Sequence, residues 1–507
     1  MNKSLLNKFD PLSLSLIGFA LLLSLYSFYF FISNKIYLIG SDAFYYISIA
    51  DSILQYGKFE VITTVPAGSL KSPQNGIVFV HVILSLLGIG SKGRILTIVF
   101  FNYFLYLSGV YPLYKIARWS GLRKGLPLAA LLSVYLGAWH IYRINLLAIN
   151  DGMFNSIMVW LVYLIMKFVL LISEPMRKIK FNPDIMRFIG IVLIVMISIH
   201  FRLNVILVIG SALVSSLVVK NYRLSAWFLS VCALLVISFF AVYFFAEVSR
   251  LDNAFQRYFI PLFTSINIYL IKFQLWKILP RLVAGLSGLT NPLATLLFTV
   301  FPLCMIYYGI KGIIDKNFNK VFISLICLTG LWFTMSFRNA RMIWYTFPFI
   351  YLILLENKKS RIAGYLFVLL VFVQSLQQFY IGFQRGPDSN LYLYIHDKSI
   401  SIDTNAILIT NSRRHTYFLL DIRAYRWRGF NDNLLLLPFP KELTWNLIQE
   451  KGSLFVLGDS TYIDGAYSQV QEMASLNSYK FESSPLTPDL EKFEGWALVE
   501  LSLSKSQ

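Results

Sequence analysis

The chain predicts an all-α polytopic membrane protein of about eleven transmembrane helices with a small C-terminal α/β domain outside the membrane. Three observations carry this prediction. Hydrophobic residues make up 57% of the chain and charged ones 14%, with mean hydropathy +0.62, too apolar for a soluble protein of 507 residues. Apolar runs of about 20 residues recur, each long enough to cross a hydrocarbon core as a helix. The charge is also divided: residues 1–383 hold 33 Lys and Arg against 11 Asp and Glu, and residues 384–507 hold 12 against 15. The basic excess falls in short loops of the apolar part, as the positive-inside bias requires, and this argues against a nucleic-acid partner.

The first run, Pro11–Ile32, is longer than the apolar region of a cleaved signal and has no small-residue cleavage site after it. Lys3 and Lys8 precede it, placing the N-terminus in the cytoplasm. A long outer loop (33–94) follows. Within it, Ile77–Gly90 is too short to cross and reads as re-entrant or juxtamembrane. The remaining spans are Ile95–Ala117, Leu126–Tyr142, Gly152–Ile172, Met186–His200, Leu203–Val219, Ala226–Ala246, Leu293–Ile310, Val321–Phe337, Met342–Leu355 and Ile362–Phe383. Basic clusters at 115–124, 167–180, 220–223, 311–320 and 358–361 then all reach the cytoplasmic side. The aromatic stretch Glu247–Asn291 reads as an interfacial helix or a lid. Residues 384–507 shift to mixed polar composition, with strand-like runs Ala406–Thr410, Leu454–Leu457 and Ala497–Leu501. This divides the chain into a membrane domain (1–383) and an extracytoplasmic domain (384–507), in the cytoplasmic membrane of a prokaryote.

Several ionisable residues collect at the outer ends of the spans. Asp42 opens an amphipathic helix that carries Tyr45 and Tyr46 and ends at Gly57, the residue favoured just past a helix end. Its carboxylate suits either a helix N-cap or a general base on a hydroxyl. Lys71 stands in the turn-rich stretch 66–76, as a solvated loop lysine or a point charge for a phosphate. Asp151 begins the span after 143–150, as a cap or as a second acid that orients an acceptor or joins Asp42 on a divalent metal ion. Arg338 and Arg341 share a helix face next to Trp344 and Tyr345 at the outer interface. They either snorkel to lipid headgroups or hold a phosphodiester. Arg202, after His200, is a further cation for the same pocket.

Other chemistries are missing from the sequence. It has no Walker loop, Gly-rich dinucleotide turn, HExxH, CxxC pair or GxSxG elbow. Cys232, Cys304 and Cys327 lie inside apolar runs, in no disulfide or metal spacing. Five scattered histidines argue against a histidine metal centre.

The ordered set resembles the GT-C superfamily of membrane glycosyltransferases, in the branch of protein O-mannosyltransferases and lipid A aminoarabinose transferases. It comprises Asp42 with Tyr45-Tyr46, Lys71 before Pro73 and the Ile77–Gly90 run, Asp151 heading a span, and Arg341…Tyr345…Pro348. The resemblance implies a sugar transferred with inversion from a polyprenyl-phosphate donor to an extracytoplasmic glycolipid, cell-surface glycan or protein. Asp42 would be the base, and Lys71, Arg338, Arg341 and Arg202 would hold the donor phosphate. Tyr45, Tyr46 and Tyr345 would shape the sugar and acceptor pocket. Ala43 replaces the second acid of the mannosyltransferases, and the WWDYG block of oligosaccharyltransferases is absent. A polymerase or ligase using diphosphate-linked oligosaccharides is the alternative within the same setting. A transporter or flippase would place charges mid-span and repeat its halves, which this sequence does not.

Overall fold

The computed structural model describes residues 10–33, 41–57, 60–61, 68–69, 76–122, 124–137, 150–172, 181–202, 205–244, 292–337, 345–358, 360–383, 407–410, 424–425, 445–486 and 496–505. Helices follow the apolar runs. They are α1 (Pro11–Ser33), α2 (Ser41–Tyr56), α3 (Gly76–Leu86), α4 (Ser91–Ser108), α5 (Val110–Trp119), α6 (Leu126–Gly137) and α7 (Asn150–Ile172). After these come α8 (Phe181–Phe201), α9 (Val205–Val218), α10 (Tyr222–Phe244), α11 (Pro292–Ile314), α12 (Phe318–Phe337), α13 (Phe347–Glu356) and α14 (Arg361–Phe383). Among the described residues, Pro11–Tyr29, Gly93–Trp119 and Gly152–Ile172 are long and apolar enough to cross a membrane. The stretch Glu247–Asn291 lies outside the described residues.

The chain groups into two compact units. The first holds residues 1–30, 71–77 and 99–381; the second holds 31–70, 78–98 and 382–507. In the first, α1 meets α4 through Phe28 stacked on Tyr103 at 3.9 Å, with Ser24 and Tyr103 hydroxyls 3.1 Å apart. The run Ile95–Ala117 reads as one span in the sequence, but the helix is interrupted at Gly109 between α4 and α5. Pro112 has no N–H to return to the carbonyl four residues back, which breaks the ladder. Gly109 has no Cβ, so Tyr135 of α6 comes against the break. There the Tyr135 hydroxyl donates to the Tyr106 carbonyl at 2.9 Å, and Tyr106 donates to the Tyr135 carbonyl. Both buried phenols are thus satisfied.

Two helical hairpins in the first unit share a turn. Lys220 between α9 and α10, and Lys316 between α11 and α12, take the left-handed conformation at φ 59° and 48°. The next residue in each case is an asparagine that caps the following helix. Asn221 Oδ1 accepts from Leu224 N–H, and Asn317 Oδ1 accepts from Lys320 N–H, both at 3.2 Å.

In the second unit, residues 407–505 form a five-stranded sheet in the order β4-β3-β5-β7-β6, from β3 (Ile407–Thr410), β4 (Ala424–Tyr425), β5 (Ser453–Asp459), β6 (Tyr479–Pro485) and β7 (Trp496–Lys505). The short β1 (Glu60–Val61) and β2 (Gly68–Ser69) pair separately in the first loop. β3 is parallel to β4 and β5, and β7 is antiparallel to both β5 and β6. After α15 (Trp445–Lys451), α16 (Ser460–Ser475) covers one face with Tyr462, Ala466, Val470 and Ala474, four residues apart. Asp459 caps α16 by accepting from Tyr462 N–H at 2.9 Å. The three strand-like runs of the sequence fall in β3, β5 and β7.

Candidate functional site

Of the residues singled out in the sequence, Asp42 is in the first turn of α2 and Asp151 in the first turn of α7. Tyr45 is also on α2. The described side chains are those of Tyr46, Arg202 and Tyr345. Lys71, Arg338 and Arg341 lie outside the described residues.

In the second unit, α2 is held on two sides. Ile49 and Ala50 are buried with Val78 of α3, and Tyr46, Ile53 and Val82 pack around them. Asp51 stands on the opposite side, half a turn from this stripe. Its Oδ1 accepts from Arg94 Nη2 at 2.9 Å, with side chains 12% and 4% exposed. Arg94 is in the first turn of α4. Beside it is His81 of α3, with no exposed surface and no hydrogen-bond partner on either ring nitrogen. Burial, and then the Arg94 charge, push the His81 pKa down to about 3, so the imidazole is neutral. Gly57 ends α2 at φ 64°, the conformation its position in the sequence predicts.

The first unit brings two further motifs to neighbouring elements. Phe154, one turn into α7 from Asp151, meets Tyr345 edge-on at 5.6 Å and 73°. Tyr345 is 2% exposed, four residues past Arg341, and its segment lies against Gly330 of α12. The first turns of α7 are therefore joined to the segment that follows Arg341. Separately, a Cβ on Gly76 would stand 2.9 Å from the Phe201 ring, so glycine alone lets the start of α3 seat there. Gly76 is five residues past Lys71, and Phe201 precedes Arg202.

Asp51, Arg94 and His81 are absent from the sequence-level candidates. Asp51 lies within the amphipathic helix that Asp42 opens and has no distinguishing neighbour in the sequence. Arg94 carried a usable signal, because a cation at the outer end of a predicted span runs against the positive-inside bias and calls for an acid. Among the described residues, no group of three or more His, Cys, Asp or Glu comes together.

The solved structures supply the fold. The chain is similar to ArnT, the lipid A aminoarabinose transferase from Cupriavidus metallidurans, solved bound to undecaprenyl phosphate. The TM-score is 0.54 at 13% identity, over 96% of this chain and 97% of that one. It is also similar to the Archaeoglobus fulgidus oligosaccharyltransferase in complex with Zn and sulfate, with TM-score 0.50 at 11% identity over 93% and 72%. Both are GT-C superfamily members, and the fold of this chain is the GT-C fold. No protein-family model and no curated protein sequence matches it.

Proposed function

We propose that the chain is an inverting glycosyltransferase that moves a sugar from a polyprenyl-phosphate donor to an extracytoplasmic glycolipid, glycan or protein. The observation that carries this reading is the end-to-end likeness to a transferase solved with undecaprenyl phosphate. In this reading the chain crosses the bilayer eleven times, with its N-terminus in the cytoplasm and residues 384–507 outside.

Asp42 takes the proton from the acceptor hydroxyl as its oxygen attacks the anomeric carbon. The bond from that carbon to the phosphate oxygen breaks, and the polyprenyl phosphate leaves from the opposite face. Lys71, Arg202, Arg338 and Arg341 neutralise the charge gathering on the phosphate, in a site where lipid and protein keep water out. Tyr45 and Tyr46 border the sugar. Tyr345, packed edge-on against Phe154, shapes the sugar and acceptor pocket by holding the first turns of α7. Asp151 orients the acceptor. The hard carboxylate oxygens of Asp42 and Asp151 are the donors that would hold a divalent ion, which would add positive charge for the leaving phosphate.

Likeness to an oligosaccharyltransferase favours a second reading, transfer of a diphosphate-linked oligosaccharide. A panel of polyprenyl-phosphate and diphosphate sugars with purified protein separates the two by which donors turn over. Asp42→Asn is expected to lower kcat by about 10²–10⁴-fold, the range of a general base. Turnover equal to wild type in that variant ends the base assignment, and a wild type inert to every donor ends the transferase reading.

A further inference from the structure

We propose that the buried Asp51–Arg94 ion pair positions α2, and with it the acid at its first turn, Asp51 and Arg94 being positioning residues for the transfer. This rests on Asp42 being the base. The apolar contact of Tyr46, Ile49, Ala50 and Ile53 with Val78 and Val82 attracts α2 to α3 but has little directionality. A slip of one residue along a helix moves each group about 1.5 Å and turns it about 100°. Either displacement takes a carboxylate out of hydrogen-bond reach of a hydroxyl.

The Nη2–Oδ1 bond of 2.9 Å fixes what the apolar face leaves loose, because it ties the side of α2 opposite that stripe to the first turn of α4. With both side chains withdrawn from water, desolvation offsets most of the attraction, and the pair adds little net stability. What it adds is register. His81 completes the arrangement: a neutral ring beside Arg94 neither competes for Asp51 as a second cation nor supplies Arg94 with a second anion. No residue of the proposed transfer uses these three side chains, of which His81 and Arg94 are buried and Asp51 is 12% exposed.

The test uses the full-length protein with a donor that the wild type turns over. The double variant Asp51→Asn/Arg94→Met removes both charges together and so leaves neither one buried alone. Its thermal unfolding should match wild type and KM for the donor should stay within about twofold, while kcat falls about 10²-fold, the loss expected of a misplacement near 1 Å. Arg94→Lys, which keeps the charge on a less directional group, should lower kcat by about tenfold with KM unchanged. Should the double variant not fold, Arg94→Lys decides alone. Wild-type kcat in the folded variants, with Asp42→Asn inactive, overturns the positioning role and leaves the base reading standing. Wild-type kcat in Asp42→Asn overturns the base reading and this proposal with it.

Discussion

His81 stands where an imidazole can stay only if it is neutral. Its folded pKa of about 3 lies below the ordinary value of 6.5, so between these limits the unfolded chain binds a proton that the folded one does not. The sign follows directly: stability is complete above about pH 6.5 and declines as the pH falls toward 3, by at most about 1.4 kcal/mol per pH unit. Denaturation of purified protein at pH 7, 6, 5 and 4 measures this. His81→Leu should flatten the slope by removing the group, and an unchanged slope would show that His81 does not set it. At this scale the sequence was legible where a residue's type and its neighbours define its job. Asp42 and Asp151 both fall in helix first turns as read, and Gly57 has the expected positive φ. In the Asp51–Arg94–His81 group only the charge of Arg94 was legible, because Asp51 and Arg94 are 43 residues apart on different helices and nothing local says which acid answers the cation.

Helices are where the sequence spoke most clearly. Apolar runs have one low-energy conformation when backbone groups cannot turn to water, and helices α1 and α4 to α14 fall on the predicted runs, three of the described stretches being long and apolar enough to cross a membrane. The break at Gly109 was hidden because Tyr111 and Pro112 sit inside an otherwise continuous run, and hydropathy does not register a missing N–H. The Lys-Asn turns were hidden for a similar reason: lysine announces a loop but gives no sign of a positive φ. That conformation carries a prediction. A left-handed residue with a Cβ is strained by about 1–2 kcal/mol, and glycine is not, though glycine gives back part of the gain in unfolded-state entropy. Lys220→Gly should therefore stabilise the α9–α10 hairpin by about 0.5–1 kcal/mol, seen as a raised Tm in detergent. Lys220→Val, β-branched in the same conformation, should lower it. The same pair of changes at Lys316 should behave alike, and opposite signs at the two turns would mean that side-chain charge outweighs backbone conformation.

At the scale of the whole chain, periodicity and charge bias fix which segments are helices and suggest which ends share a side, but they hold no information on which ends touch. That Phe154 of α7 meets Tyr345, or that Gly76 receives Phe201, is a property of packing shapes rather than of any local pattern. The side on which each end lies is open to a direct test. If the basic turns are cytoplasmic, residues 384–507 must be outside, since an odd number of crossings separates them from a cytoplasmic N-terminus. Leu476, 81% exposed in the turn after α16, and Asn317, in the turn between α11 and α12, are suitable reporters. The three native cysteines are half-buried or buried within helices α10, α11 and α12, and a membrane-impermeant maleimide reaches them poorly. On intact cells Leu476→Cys should label at once, whereas Asn317→Cys should label only after permeabilisation. The reverse pattern would turn the protein over, place Asp42 and Arg341 in the cytoplasm, and remove the reason for a lipid-linked donor, because nucleotide-activated sugars would then be within reach.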